Sequence, residues 1–105
     1  MAQVRWTLQA LDDLEAICMF IARDAPGVAA VFAQKAFDTA ERLANFPRSG
    51  RTVSELANLD FPSGLREIIL GNYRLIYRIR SGDVQILTVH HAARLLDTAQ
   101  FHNTG

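Results

Sequence analysis

Across residues 8–23 the apolar positions Leu11, Leu14, Ile17, Cys18 and Ile21 recur at spacings of three and four, which lays them along one stripe of a helix. Thr7 stands where an N-cap belongs, and Asp12, Asp13 and Glu15 follow in the first turns, where negative charge suits a helix N-terminus. The run Asp24-Ala25-Pro26-Gly27 breaks the pattern. Ala29, Phe32, Ala36, Ala40 and Leu43 then outline a second amphipathic helix, expected to close near Phe46 because Pro47 pushes its predecessor out of the helical region. So short a connection predicts two antiparallel helices, and their alanines permit a close approach. Val4, Arg5 and Trp6 read as a short extended segment ahead of the pair.

Residues 47–64 show no clear period, although Ser54 to Asn58 would make one helical turn. Beyond them the period drops from 3.6 to 2. Residues 65–70, 73–80 and 84–91 read as three strands, separated by Gly71-Asn72 and Ser81-Gly82-Asp83, both suited to hairpin turns. An antiparallel meander follows, and residues 92–100 are compatible with a short terminal helix. The order is strand, helix, helix and three strands, in one domain covering residues 1–105.

Alternation in the middle strand sends Tyr73, Leu75, Tyr77 and Ile79 one way and Arg74, Ile76, Arg78 and Arg80 the other. The first set should face the helices, leaving a row of arginines on the opposite face. A three-residue loop after Arg80 places His90 opposite Arg74, whereas a two-residue loop puts His91 on that face instead, because a slip of one residue inverts a strand. A two-residue turn at Gly71-Asn72 adds Glu67 to the arginine side. Arginines, a histidine and a carboxylate on one face would suit phosphodiester chemistry, and would equally suit a salt-bridged surface.

Composition narrows the reading. The chain of 105 residues carries 11 Lys plus Arg against 11 Asp plus Glu, so bulk charge does not mark a polyanion binder. Ten of the eleven cations are arginine, and residues 48–105 hold seven cations and five acids, so the second half is the basic one. A lone cysteine, Cys18, excludes an internal disulfide, and no apolar run is long enough to span a bilayer. Neither a basic start nor an apolar run marks a signal peptide, so the expectation is a cytoplasmic protein without a membrane partner. His90, His91 and His102 lack metal-ligand spacing, and no phosphate-binding loop or nucleophile elbow is present. No metal and no cofactor are expected.

Read together, Trp6-Thr7, Ala10, Asp13-Leu14, Ile17, Phe20-Ile21, Leu43, Phe46-Pro47, Gly50-Arg51, Val53, Glu55, Leu65-Arg66-Glu67, the run Tyr73 to Ile79, Val89, His91 and Arg94 resemble the RelE/ParE superfamily of bacterial type II toxin-antitoxin toxins, also labelled plasmid-stabilisation proteins. The resemblance spans nearly the whole chain. It implies an α+β fold, a small twisted antiparallel β-sheet packed on an α-helical hairpin in the order β-α-α-β-β-β with a short C-terminal helix. It also implies a toxin neutralised by a cognate antitoxin, as a dimer or a toxin-antitoxin hetero-oligomer.

Two activities divide that superfamily. RelE-like members are endoribonucleases that cut mRNA on the ribosome, and ParE-like members bind and poison DNA gyrase without catalysing a reaction. The RelE-like pattern has lysines in the loop before the sheet, an arginine after the last strand's basic position and a C-terminal tyrosine. Here residues 47–64 hold no lysine, Ala92 follows His91, and Thr98 stands where a tyrosine would serve. The ending His91-Ala92-Ala93-Arg94 resembles the His-small-small-Arg ending of ParE-like members. The resemblance therefore implies a gyrase inhibitor, with Arg51, Arg74, Arg78, Arg80 and Arg94, together with Arg48, as contact guanidiniums. Arg51 and Arg94 have a competing role in bracing the loop and the sheet edge. On the alternative, a ribosome-dependent mRNA endoribonuclease, Glu55, Arg66, Arg74 and His91 are the candidates for base, charge clamp and acid.

Overall fold

The computed structural model of the chain describes residues 2–53 and 65–94. Strand β1 (Val4–Trp6) leads into helix α1 (Leu8–Ala22), helix α2 (Pro26–Arg42) and a two-residue strand β2 (Arg51–Thr52). The hairpin strands β3 (Leu65–Leu70), β4 (Tyr73–Arg80) and β5 (Asp83–His91) complete one five-stranded sheet of order β1-β5-β4-β3-β2. The meander β3-β4-β5 is antiparallel, as the turn signals imply, and β2 extends it antiparallel. β1, however, joins β5 in parallel, so the sheet is mixed. The two intervening helices carry the chain back across the sheet, and that crossover lets its first strand run alongside its last.

Helix α1 starts just after Thr7, the cap read above, whereas Pro26, read as part of a break, proves to open α2. Thr7 Oγ1 accepts the Ala10 N–H at 3.1 Å and donates to the Ile86 carbonyl at 2.8 Å, so one hydroxyl caps α1 and ties it to β5. Pro26 opens α2 in its first turn, where its missing N–H costs nothing. α2 ends at Arg42, short of Phe46, because its last turn tightens: the N–H groups of Leu43, Ala44 and Asn45 donate to the carbonyls of Ala40, Glu41 and Arg42, each three residues back. Within α1 the stripe is centred on Ala10, Leu14 and Ile17; Leu11 lies at its edge and is 41% exposed. The suggested turn at residues 54–58 and most of the suggested terminal helix lie outside the described residues.

The main core packs Ala10, Leu14, Ala36, Ala40 and Leu43 against Leu75, Tyr77, Val84, Ile86 and Val89, with Tyr73 and Ile79 at its margin. The helix-facing parity of β4 is as alternation predicts. A second, smaller cluster of Val53, Leu65, Ile76 and Leu87 is buried on the opposite face. That face is consequently no open arginine surface, since a core of its own runs through it.

A β-bulge decides which histidine reaches it. The β4–β5 loop has two residues, Ser81 and Gly82, both at positive φ as in a type I′ turn, and Arg80 pairs with Asp83. An unbroken ladder from that turn would put His91 on the arginine side. Between the pairs Tyr77↔Ile86 and Ile76↔Thr88 the register shifts by one, so His90 stands opposite Arg74 and His91 opposite Tyr73. Asp13 of α1 holds the irregular segment: Thr88 Oγ1 and the Val89 N–H both donate to its Oδ2.

Candidate functional site

On the sheet face away from the helices, Glu67 of β3 pairs with Ile76 and its side chain is 1% exposed. Burial of a carboxylate demands partners, and two arginines supply them. Arg74 donates through Nε (2.7 Å) and Nη2 (2.6 Å) to Oε1, with only 6% of its own side chain exposed. Arg51 donates through Nε to Oε2 at 2.9 Å, while 66% of its side chain faces solvent. Arg74 also reaches the Arg94 carbonyl through Nη1 at 3.4 Å. An ion triad built on the buried Glu67–Arg74 pair thus connects β2, β3 and β4, and the Arg94 carbonyl ties the turn after β5 to it.

A second cluster fixes the loop that delivers Arg51. Tyr77 Oη donates to the Pro47 carbonyl (2.7 Å) and accepts the Gly50 N–H (2.9 Å). A Cβ at Gly50 would lie 2.6 Å from Tyr77 Oη and 2.8 Å from the Glu67 carbonyl oxygen, so only glycine permits this approach. Arg66 donates from Nη1 to the Gly50 carbonyl at 2.8 Å and to that of Arg48 at 3.4 Å. Burial pushes the Tyr77 phenol above its ordinary range, opposed in part by the Gly50 N–H and the Arg66 charge.

The predicted site residues therefore separate into groups. Arg74 belongs to the arginine face but is internal, a correction to its reading as a surface contact: burial turns its guanidinium onto Glu67 and the Arg94 carbonyl. Arg78 shares the face, half-buried, and burial together with the nearby Arg80 charge lowers its pKa. Arg80 and Arg94 are exposed. Among the ribonuclease candidates, Glu55 lies outside the described residues and Arg66 clamps the loop backbone. His91 sits on the helix side, edge-on to Tyr73 at 5.4 Å with Nδ1 accepting the Ala93 N–H. Arg74 and His91 are on opposite faces of the sheet, so these two do not converge.

The sequence reading missed the roles of three residues. Arg5 lies beside Gln85 through the parallel pairing, in one cross-strand row with Arg78, and that pairing bridges eighty residues of chain. Glu67 was legible as a member of the face, but not as its buried centre. Asp13 gave only a helix-terminus signal. Cys18 packs between the helices, its thiol pushed up by burial and near the Ala29 carbonyl. Among the described residues, no three His, Cys, Asp or Glu side chains are grouped to hold a metal ion.

A family model described as the ParE toxin of the type II toxin-antitoxin system parDE matches residues 4–96. The chain belongs to the ParE toxin family. Among relatives of this toxin, a Caulobacter vibrioides protein named Toxin RelE2 is 36% identical over 96 residues, covering 90% of this chain and all of the relative. Among solved structures, one described as a chromosomal ParDE toxin-antitoxin system from P. aeruginosa superposes with a TM-score of 0.69 at 21% identity, over 87% of this chain and 96% of that one. That likeness supports the two-helix, five-stranded architecture. A ParE-family chain is the toxin of a type II module, and a cognate antitoxin is its partner.

Proposed function

We propose that this ParE-family toxin acts by binding DNA gyrase, is held inactive by its cognate antitoxin and works in the cytoplasm. The observation that carries the reading is the dispersal of the candidate catalytic groups. With Arg74 locked to Glu67 and His91 across the sheet, these two candidates do not meet at a common point, and a positioned acid-base pair is what activating a ribose hydroxyl would require. Exposed guanidiniums of Arg51, Arg80 and Arg94, with the half-buried Arg78, suit protein-protein contact instead. Exposed apolar side chains on α1 and α2, among them Leu8, Met19, Phe20, Val28 and Val31, suit coverage by an antitoxin segment that orders on binding. No helix among the described residues is long and apolar enough to cross a membrane.

The RelE2 name of the Caulobacter relative favours a second reading, ribosome-dependent mRNA cleavage. Purified toxin is expected to inhibit gyrase supercoiling and accumulate cleaved DNA complexes while leaving mRNA intact in a translating extract. Unaffected gyrase, with codon-positioned cuts lost in His91→Ala, would transfer the assignment to the ribonuclease branch.

A further inference from the structure

Arg51 is the one arginine of the buried triad whose side chain is mostly in solvent. Its Nε is fixed on Glu67 Oε2 at 2.9 Å, and among the described residues its two Nη groups make no hydrogen bond. A guanidinium fixed at Nε keeps a preorganised fork for a planar oxyanion at Nη1 and Nη2, and holding the side chain beforehand lowers the entropic cost of docking. Arg51 also lies on β2, the outermost strand on its side of the described sheet, at the point where Gly50 and Tyr77 hold the backbone. Glu67 is in turn held through its other oxygen by Arg74.

We infer that Arg51 binds a carboxylate side chain of the toxin's target protein, and that Glu67, backed by Arg74, is the positioning residue that aims it. The inference rests on the toxin reading above and names the chemistry of its target contact. Charge selects a carboxylate over a nucleic-acid backbone. Arg51, Glu67 and Arg74 sum to one positive charge, and the whole chain balances 11 cations with 11 acids, whereas backbone binding draws on several phosphates neutralised together. Position selects the target over the antitoxin. The exposed apolar residues Leu8, Met19, Phe20, Val28 and Val31 lie on the helices, while Glu67 lies on the sheet face turned from them, so an apolar antitoxin segment on the hairpin leaves the β2 edge accessible.

The test is growth arrest on induction in a bacterial host, which does not presuppose the target's identity, read beside co-purification with the antitoxin. Arg51→Lys keeps the charge and a donor for Glu67 but lacks the fork. It should raise the toxin abundance needed for arrest by about tenfold, with antitoxin binding and thermal unfolding unchanged. The paired replacement Glu67→Met with Arg74→Leu keeps the interior filled and releases Arg51. It should lose toxicity to the same extent while still co-purifying with antitoxin, and Arg51→Lys should then add no further loss.

Full toxicity of Arg51→Lys at equal abundance would overturn the contact, and an equal loss of antitoxin affinity would assign the carboxylate to the antitoxin instead. An undiminished Arg51→Lys effect in the Met/Leu background would overturn the positioning role. If the Met/Leu protein fails to co-purify, the surface variant Arg51→Lys still decides the contact, and Glu67→Asp, which keeps the charge but shortens its reach, decides the positioning by the same dose measurement. Wild-type arrest without gyrase inhibition would refute the gyrase reading and leave this inference standing on its own readout. A folded wild type that arrests nothing would overturn both.

Discussion

Replacing Gly50 with alanine should unfold this protein more readily than most single methyl additions. The new Cβ would meet Tyr77 Oη at 2.6 Å, Tyr77 Cε1 at 2.8 Å and the Glu67 backbone carbonyl at 2.8 Å. Two of these atoms belong to a core ring and the third to the sheet itself, so neither yields cheaply and the loop must swing away. The swing breaks the Gly50 N–H to Tyr77 bond, the Tyr77 to Pro47 bond and the Arg66 anchor on the Gly50 carbonyl. At about 1 kcal/mol net per hydrogen bond, the loss is about 3 kcal/mol. For a domain of this size that corresponds to a fall in Tm of roughly 10 to 20 °C. Urea titration of the isolated toxin by circular dichroism reads it as a lower midpoint at constant m-value. Tyr77→Phe should cost about 2 kcal/mol, because it strands the Gly50 N–H and the Pro47 carbonyl. In the Phe background the alanine should cost less, since the 2.6 Å contact is gone while the Glu67 contact persists. A Gly50→Ala protein within about 0.5 kcal/mol of wild type, the scatter expected of an uninvolved surface site, would refute the close-approach argument.

Three further outcomes follow from the same geometry. Glu67→Gln leaves the Arg74 guanidinium in the interior without its carboxylate and should cost about 3 to 5 kcal/mol by urea titration, whereas the paired Met and Leu replacement should fall within about 1 kcal/mol of wild type or above it. Asp13→Ala removes the acceptor of the Thr88 hydroxyl and the Val89 N–H and should cost about 1 to 2 kcal/mol, with faster amide exchange confined to residues near the bulge. The Tyr77 phenol has a folded pKa above the unfolded value near 10, so the unfolded chain gives up its proton first, and stability should fall as pH rises through 10 and beyond. Ultraviolet titration should show one tyrosine ionising late in the folded protein, and Tyr77→Phe should remove both that late phase and its share of the alkaline loss.

Alternation along residues 73–80 determined by itself that Tyr73, Leu75, Tyr77 and Ile79 face the helices, because the side-chain period of a strand is a local property of its backbone. Thr7 as a cap and Gly71-Asn72 as a turn were legible for the same reason. So was Glu67's place on the arginine side, since a two-residue turn leaves one register. Tertiary structure alone decided three things. The parallel return of β1 to β5 brought Arg5 into a row with Gln85 and Arg78, and parity says nothing of which strands become neighbours. The bulge opposite Ile76, held by Asp13 from α1, exchanged the histidine on the arginine face, because a helix lying across β5 can stabilise an extra residue that an isolated hairpin would not keep. Burial of Glu67 between Arg74 and Arg51 depended on both faces of the sheet carrying a core, Ile76 and Leu87 on one side and Tyr77 and Val89 on the other. A charge row in a sequence has no dielectric. The fold supplied one, and it made Arg74 a structural counter-ion and left Arg51 as the guanidinium on Glu67 that faces outward.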